Sequence, residues 1–372
     1  MPRRPPAVAR VLERVTATAR EHDMFSAGDR VLVAASGGPD STCLLYSLWH
    51  LRRLFRIRLE VFHFDHRLRP DSGKDAQYVR RTAARLKVPF HLRVAEDAPA
   101  RGVSVEDWAH TARWNAANLI RREDGFATVA LGHTLDDQAE TVLIALLRGG
   151  GLQFVSGMRP KEGRLRVHPL IEVRRTEVED FCRALGLRPR RDPSNRDRRF
   201  LRNALRHEGI PALERATGRD VKGPIARSAA LLGPDADELF GQAAKAYAEM
   251  DAPRDGIPAG PVLSLPPAIA SRVVKLVAWQ LAHDPGREEV RAILDLARGR
   301  PGRRRALSGG LIAVRDREYV RLSRTSPGVG DEAPLRAGKG NSDGSPARTA
   351  RRTASRGTGR GAGRVAPRPR AP

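Results

Sequence analysis

The chain has 372 residues, 40% of them hydrophobic, and 67 lysines and arginines against 43 acids give a net charge of +24. The length favours two domains or one domain with extensions, the apolar share excludes wholesale disorder, and the charge points toward a polyanionic partner. Apolar runs such as residues 141–147 fall far short of the roughly 20 residues that span a bilayer, no secretory signal opens the chain, and two cysteines, Cys43 and Cys182, cannot build a disulfide framework. No membrane partner and a reducing, cytoplasmic setting are therefore expected.

Over the first two hundred residues, strand-like apolar runs alternate with helical periodicity. Strands are predicted at 30–35, 58–64, 89–93 and 127–131, and helices between them at 40–54, 72–87, 103–122 and 135–148. Apolar strands each followed by a helix predict an α/β fold with a doubly wound parallel sheet and ligands at the carboxyl ends of the strands, just after Ala35, Phe64 and Leu131. From Pro211 the alternation stops. Helical periodicity dominates 222–250 and 266–297, and a short β-like run covers 309–322. The expected organisation is a catalytic domain over 1–212, a smaller, mostly helical domain over 213–325, and a tail over 326–372. The tail holds nine glycines, six prolines and ten basic residues against three acids, a composition that predicts a disordered, solvated basic tail. The charge signal carries a discount, because 60 of the 67 basic residues are arginine, as a GC-rich genome also produces.

Two segments carry chemistry. In Val31-Leu-Val-Ala-Ala-Ser36-Gly37-Gly38-Pro39-Asp40-Ser41-Thr42, a strand runs through a glycine turn into a helix. Successive glycines let backbone N–H groups approach a phosphate, the helix N-terminus adds partial positive charge, and Ser36 and Ser41 can donate hydroxyls. No lysine follows as in a Walker A loop. Asp40 beside phosphates implies a divalent cation, Mg²⁺, between them, although Asp40 or Ser41 could also be an ordinary helix cap. The second segment, Gly132-His133-Thr-Leu-Asp136-Asp137-Gln-Ala-Glu140-Thr141, opens a helix after a predicted strand. Asp137 and Glu140 share one face and, with His133, could hold a cation, an ammonium group or a proton in transit. Thr134 and Asp137 also read as a capping box.

Ser36-Gly-Gly-x-Asp-Ser41 resembles the signature of the PP-loop ATP pyrophosphatases, which cleave ATP between the α- and β-phosphates. Gly-His133-x-x-Asp-Asp137-Gln-x-Glu140-Thr, the segment His63-Phe-Asp-His66-Arg-Leu68-Arg69, and Asp192-Pro-Ser-Asn195 with Arg202-Asn203-x-x-Arg206 narrow the resemblance to the tRNA(Ile)-lysidine synthases. The resemblance implies adenylation of the wobble cytidine in the CAU anticodon of tRNA(Ile), then displacement of AMP by free L-lysine. It implies that Ser36, Gly37, Gly38, Pro39, Asp40 and Ser41 hold ATP, with Asp40 organising Mg²⁺. It places Arg113 near the nucleotide, His133, Asp137 and Glu140 at the reaction centre with Asp40, and Arg202 and Arg206 on phosphate or substrate. Departures from the family pattern stand at Thr134, His110, Trp114, His168 and Arg191, none of them assigned to catalysis. Two other readings are carried forward: the sulfur-inserting, 2-thiocytidine branch of the superfamily, which relies on paired cysteines, and a non-catalytic basic RNA-binding protein. The oligomeric state, a homodimer included, is not legible in the sequence.

Overall fold

A computed structural model describes residues 4–68, 71–99, 105–190 and 197–324. The Asp192–Asn195 motif, Arg191 and the 326–372 tail lie outside the described residues. Helix α1 (Pro6–Glu21) starts with proline in its first turn and buries Val8, Val11, Leu12, Val15 and Ala19, a 3.6-period stripe. Then come β1 (Arg30–Ala34), α2 (Pro39–Leu51), β2 (Arg58–Asp65), α3 (Ser72–Leu86), β3 (Phe90–Val94), α4 (Val105–Glu123), β4 (Thr128–Ala130) and α5 (Leu135–Leu147). Each of the eight strands and helices predicted over this stretch is present. A short α6 (Leu152–Val155), a hairpin of β5 (Lys161–Glu162) and β6 (Arg166–Val167), and α7 (Arg175–Ala184) follow.

The sheet order is β3-β2-β1-β4-β6-β5, parallel except at the β5–β6 hairpin. The chain builds β2 and β3 on one side of β1 and then returns to place β4 on the other. That reversal opens a crevice at the carboxyl ends of β1 and β4, where ligands bind in doubly wound sheets. Val31, Leu32, Val33, Val61, Val129 and Ala130 are fully buried, as expected of strands covered on both faces.

Residues 201–217 form α8 (Leu201–Ala204), one π turn (Leu205–Gly209) and α9 (Ile210–Thr217). The long α10 (Lys222–Glu249) packs against both α5 and α12 (Pro267–Gln280), the latter preceded by β7 (Gly256–Pro258) and α11 (Ala259–Ser264). The chain continues through α13 (Arg287–Arg298), β8 (Arg304–Leu307), β9 (Leu311–Arg315) and β10 (Tyr319–Arg324). Helices dominate this part as predicted, but it also holds a four-stranded antiparallel sheet, β7-β10-β9-β8, where the sequence suggested one β-like run. The run at 309–322 covers β9 and the first four residues of β10. Strand β7 is a three-residue Gly-Ile-Pro, too short for periodicity, and β8 is an exposed, arginine-bearing edge with no apolar alternation. A separate core of Ile257, Val273, Val274, Val277, Ile293 and Leu322 lies beneath this sheet.

Candidate active site

Buried β1 delivers Ser36 to the sheet edge, and the turn that follows depends on Gly37, whose φ of +89° disfavours any side chain. A Cβ there would also stand 3.4 Å from the Tyr78 ring. Gly38 caps α2 without a side-chain hydrogen bond and Pro39 fills the first turn, so neither Asp40 nor Ser41 is the cap. Instead the Ser41 hydroxyl donates to the Gly38 carbonyl at 3.1 Å and accepts from the Ser36 N–H at 3.2 Å, which fixes the loop from within. Gly132 approaches so closely that a Cβ on it would lie 3.2 Å from the backbone of Asp40 and Ser41. The two motifs therefore meet backbone to backbone at the crevice.

Asp40 has one carboxylate oxygen, Oδ1, enclosed with no hydrogen-bond partner, while Oδ2 lies 3.8 Å from Arg175 Nε. Burial pushes this carboxyl up to about 7, with Arg175 opposing and Asp137 reinforcing the shift. An orphaned, desolvated carboxylate oxygen beside a glycine turn fits a hard cation, and Mg²⁺ suits its oxygen chemistry.

Asp137 serves two purposes. Its Oδ2 accepts from the Thr134 N–H and hydroxyl, completing the capping box, while Oδ1 accepts from Arg175 at 2.8 Å and Arg206 at 3.2 Å. Burial works against its ionisation, but Arg175, His133, the Thr134 N–H and Arg206 outweigh it and hold the carboxyl at about 2. Glu140, 1% exposed, accepts from Arg206 through both oxygens at 2.7 Å and lies 3.6 Å from Arg202. Arg202 and Arg206, expected on phosphate or substrate, thus rest on the carboxylates of α5. Arg206 sits on the π turn, an irregularity frequent at functional sites.

His133 is held well below its usual range by burial and by neighbouring His168, whose ring centroid lies 5.0 Å away; its Nδ1 is enclosed without a partner. The imidazole is neutral near pH 7. His66, the residue after β2, is pushed to about 4 by burial, with Arg113 and His63 adding to the shift, and its Nδ1 also lacks a partner. Arg113 forms no ion pair with any described carboxylate. It is a cation available to an incoming phosphate, close enough to His66 and His133 to lower both.

Two members of the site, Arg175 and Lys222, escape the motif reading. Arg175 bridges Asp40, Asp137 and Glu140, its backbone N–H donates to Asp136 Oδ2 at 2.8 Å, and Lys222 Nζ lies 2.8 Å from Asp136 Oδ1. A signal was available. Arg175 and Lys222 each begin a helix, where the macrodipole disfavours a cation, so each calls for a compensating acid. Cys43 and Cys182 are both buried, and burial raises each thiol, Cys182 to about 12, so neither supplies a ready thiolate. No helix among the described residues is long and apolar enough to cross a membrane.

Residues 8–213 match the PP-loop domain family. Relatives named tRNA(Ile)-lysidine synthase include those of Symbiobacterium thermophilum (37% identical, covering 77% of this chain and 63% of the relative) and Geobacter sulfurreducens (41%, covering 60% and 48%). The relative from Solibacter usitatus is 35% identical, with 80% of this chain and 68% of the relative covered. The chain spans about half to two thirds of the length of these relatives. Among solved structures, a U34-tRNA thiolase from Methanococcus maripaludis, holding a [4Fe-4S] cluster, shares the fold at a TM-score of 0.54 with 18% identity, over 61% of this chain and 79% of that one. With its glycine turn and carboxylate helix set at one crevice, and with matches of this extent, the chain belongs to the PP-loop family and, within it, to the tRNA(Ile)-lysidine synthases.

Proposed function

We propose that the protein joins L-lysine to C2 of the wobble cytidine of tRNA(Ile) bearing a CAU anticodon, at the expense of ATP, in the cytoplasm. The observation that carries this reading is the crevice itself, where the glycine turn of residues 36–41 meets the paired carboxylates of Asp137 and Glu140. The cytidine O2 attacks the α-phosphorus of ATP and pyrophosphate leaves. The lysine ammonium then gives up a proton, the freed ε-nitrogen bonds to C2, the C2–O bond breaks, AMP departs with that oxygen, and the nitrogen gives up a second proton.

Backbone N–H groups of Gly37 and Gly38 and the open start of α2 bind the phosphates, with Ser36 and Ser41 shaping the turn. Asp40 would hold Mg²⁺, which supplies charge neutralisation for the polyphosphate. Arg113 adds a cation near the nucleotide. Asp137, anchored as an anion, and Glu140 hold the lysine ammonium once Arg206 and Arg202 shift from them to phosphate. Asp137 is too acidic to keep a proton, so its part is positioning; the neutral His133, with a free Nδ1, can accept one. Residues 213–325 are assigned to tRNA recognition and 1–212 to catalysis.

Incubating the protein with ATP, Mg²⁺, labelled lysine and the CAU-bearing tRNA(Ile), followed by nucleoside mass spectrometry, tests the reading. A cytidine heavier by a condensed lysine is expected, with stoichiometric AMP. Tight tRNA binding with no lysine-dependent AMP would leave the non-catalytic reading standing, and sulfur incorporation would leave the thiolation reading.

A further inference from the structure

A basin of about 600 Å³ opens at the amino ends of the parallel strands, on the sheet edge opposite the crevice. Arg30, Arg58, Arg121, Arg122 and Arg164 line it, with Asp29 as the acid among the lining residues. The sheet builds this cluster. Arg30 and Arg58 are the first residues of β1 and β2 and are register partners, so their Cα atoms stand one strand spacing apart, about 4.8 Å. Arg121 and Arg122 end α4, where cations suit the helix dipole. Two of the five arginines are engaged with acids, Arg30 with Glu60 at 2.8 Å and Arg164 with Asp29 at 3.4 Å. Arg121 donates to the Asn118 side chain, and Arg58, Arg121 and Arg122 have no carboxylate partner among the described residues. Three guanidinium groups without carboxylate partners around one basin repel one another and gain by sharing an anion.

The chemistry selects the class of anion. The ring among the lining residues, Phe126, is 3% exposed and covered by Arg30, whose guanidinium lies 4.4 Å from its centroid. No base can stack there, so recognition is by charge alone. From the basin to Ser36 the chain runs six residues of extended strand, about 20 Å at 3.3 Å per residue. A nucleotide held at the crevice does not span that distance, whereas a polynucleotide does.

We infer that this basin is a second RNA contact, binding phosphodiester backbone remote from the modified nucleotide through Arg58, Arg121 and Arg122. That the RNA is the tRNA substrate rests on the proposed function; capture of RNA backbone does not. The test is the full chain against the triple variant Arg58→Gln, Arg121→Gln, Arg122→Gln, measured by binding of tRNA at 50–300 mM salt and of inorganic tripolyphosphate, with a thermal melt to establish that the variant folds. Losing about three phosphate contacts lowers the slope of log K against log salt by about 2 to 3 and weakens tRNA binding roughly tenfold or more near 0.1 M salt. Tripolyphosphate binding stays unchanged. An unaltered slope in a folded variant overturns the inference, as does loss of tripolyphosphate binding with RNA binding intact, which would mark a site for small anions. These readouts do not use lysidine formation, so failure here and failure of the proposed reaction are separate results.

Discussion

Replacing Asp40 by asparagine removes one charge without changing shape, and the structure sets what this does. The carboxyl titrates at about 7 in the folded protein against 3.8 in the free residue, because burial disfavours the anion more than Arg175 favours it. A raised carboxyl contributes stability that is fully present below pH 3.8 and is lost as pH rises through 7. The displacement from 3.8 to about 7 corresponds to about 4 kcal/mol. The side chain keeps 26% exposure, so solvent screening brings the expected loss to about 2–4 kcal/mol. Wild type and Asp40→Asn should therefore have similar stability near pH 4, and by pH 8.5 the variant should be the more stable by that amount, roughly 4–8 °C in Tm. Urea or thermal unfolding from pH 4 to 9 in EDTA measures the gap. Adding Mg²⁺ with ATP should stabilise wild type and leave the variant nearly unmoved, and AMP formation should be abolished. A variant less stable than wild type at pH 8.5, or a gap that does not change with pH, would refute the reasoning.

Gly132→Ala puts a methyl 3.2 Å from the backbone of Asp40 and Ser41; strain of about 1–3 kcal/mol should raise the KM for ATP at least tenfold while the fold survives, checked by steady-state kinetics and circular dichroism. Glu140→Gln removes one of the two proposed ammonium partners, so the KM for lysine should rise tenfold or more while adenylation of tRNA, followed as pyrophosphate release, persists. Arg206→Ala strips Glu140 of its bidentate partner and leaves a buried carboxylate undercompensated, so a stability loss of about 3–5 kcal/mol is expected on unfolding, and an unchanged midpoint would remove Arg206 from the cluster. ATP and lysine should bind with positive coupling, each tightening the other fivefold or more by calorimetry.

The βα alternation was legible because fully buried parallel strands such as Val31–Val33 are continuous apolar runs, and a helix such as α3 carries a 3.6-period stripe of Val79, Thr82, Ala83 and Leu86. The glycine turn was legible because a positive φ and crowding leave glycine as the residue for position 37. Strands β7 and β8 were not, because one is three residues long and the other has an exposed, basic pattern stabilised by pairing with β9 rather than by its own periodicity. Arg175 and Lys222 lay outside every motif. Their roles arise from ion pairs across 38 and 86 residues of sequence, and the available hint was a cation placed against a helix dipole. The capping reading of Asp137 is met by one carboxylate oxygen, which takes the Thr134 N–H, while the other oxygen faces Arg175 and Arg206 and is the one the proposed role uses.

The charge inventory of the crevice gives the coupling of ATP and lysine its physical basis. Asp40, Asp136, Asp137 and Glu140 face Arg175, Arg202, Arg206 and Lys222 in one connected network. Buried charge is tolerated only while it is paired. Polyphosphate entering alone would draw arginines from the carboxylates and leave those anions exposed to one another. An ammonium entering alone would displace arginines with no anion to receive them. When both arrive, each satisfies the partners that the other releases, so the free-energy cost of opening the network is met once rather than twice. A site held together in this way favours a polyphosphate and an ammonium as a pair, which suits the ATP and lysine of the proposed reaction.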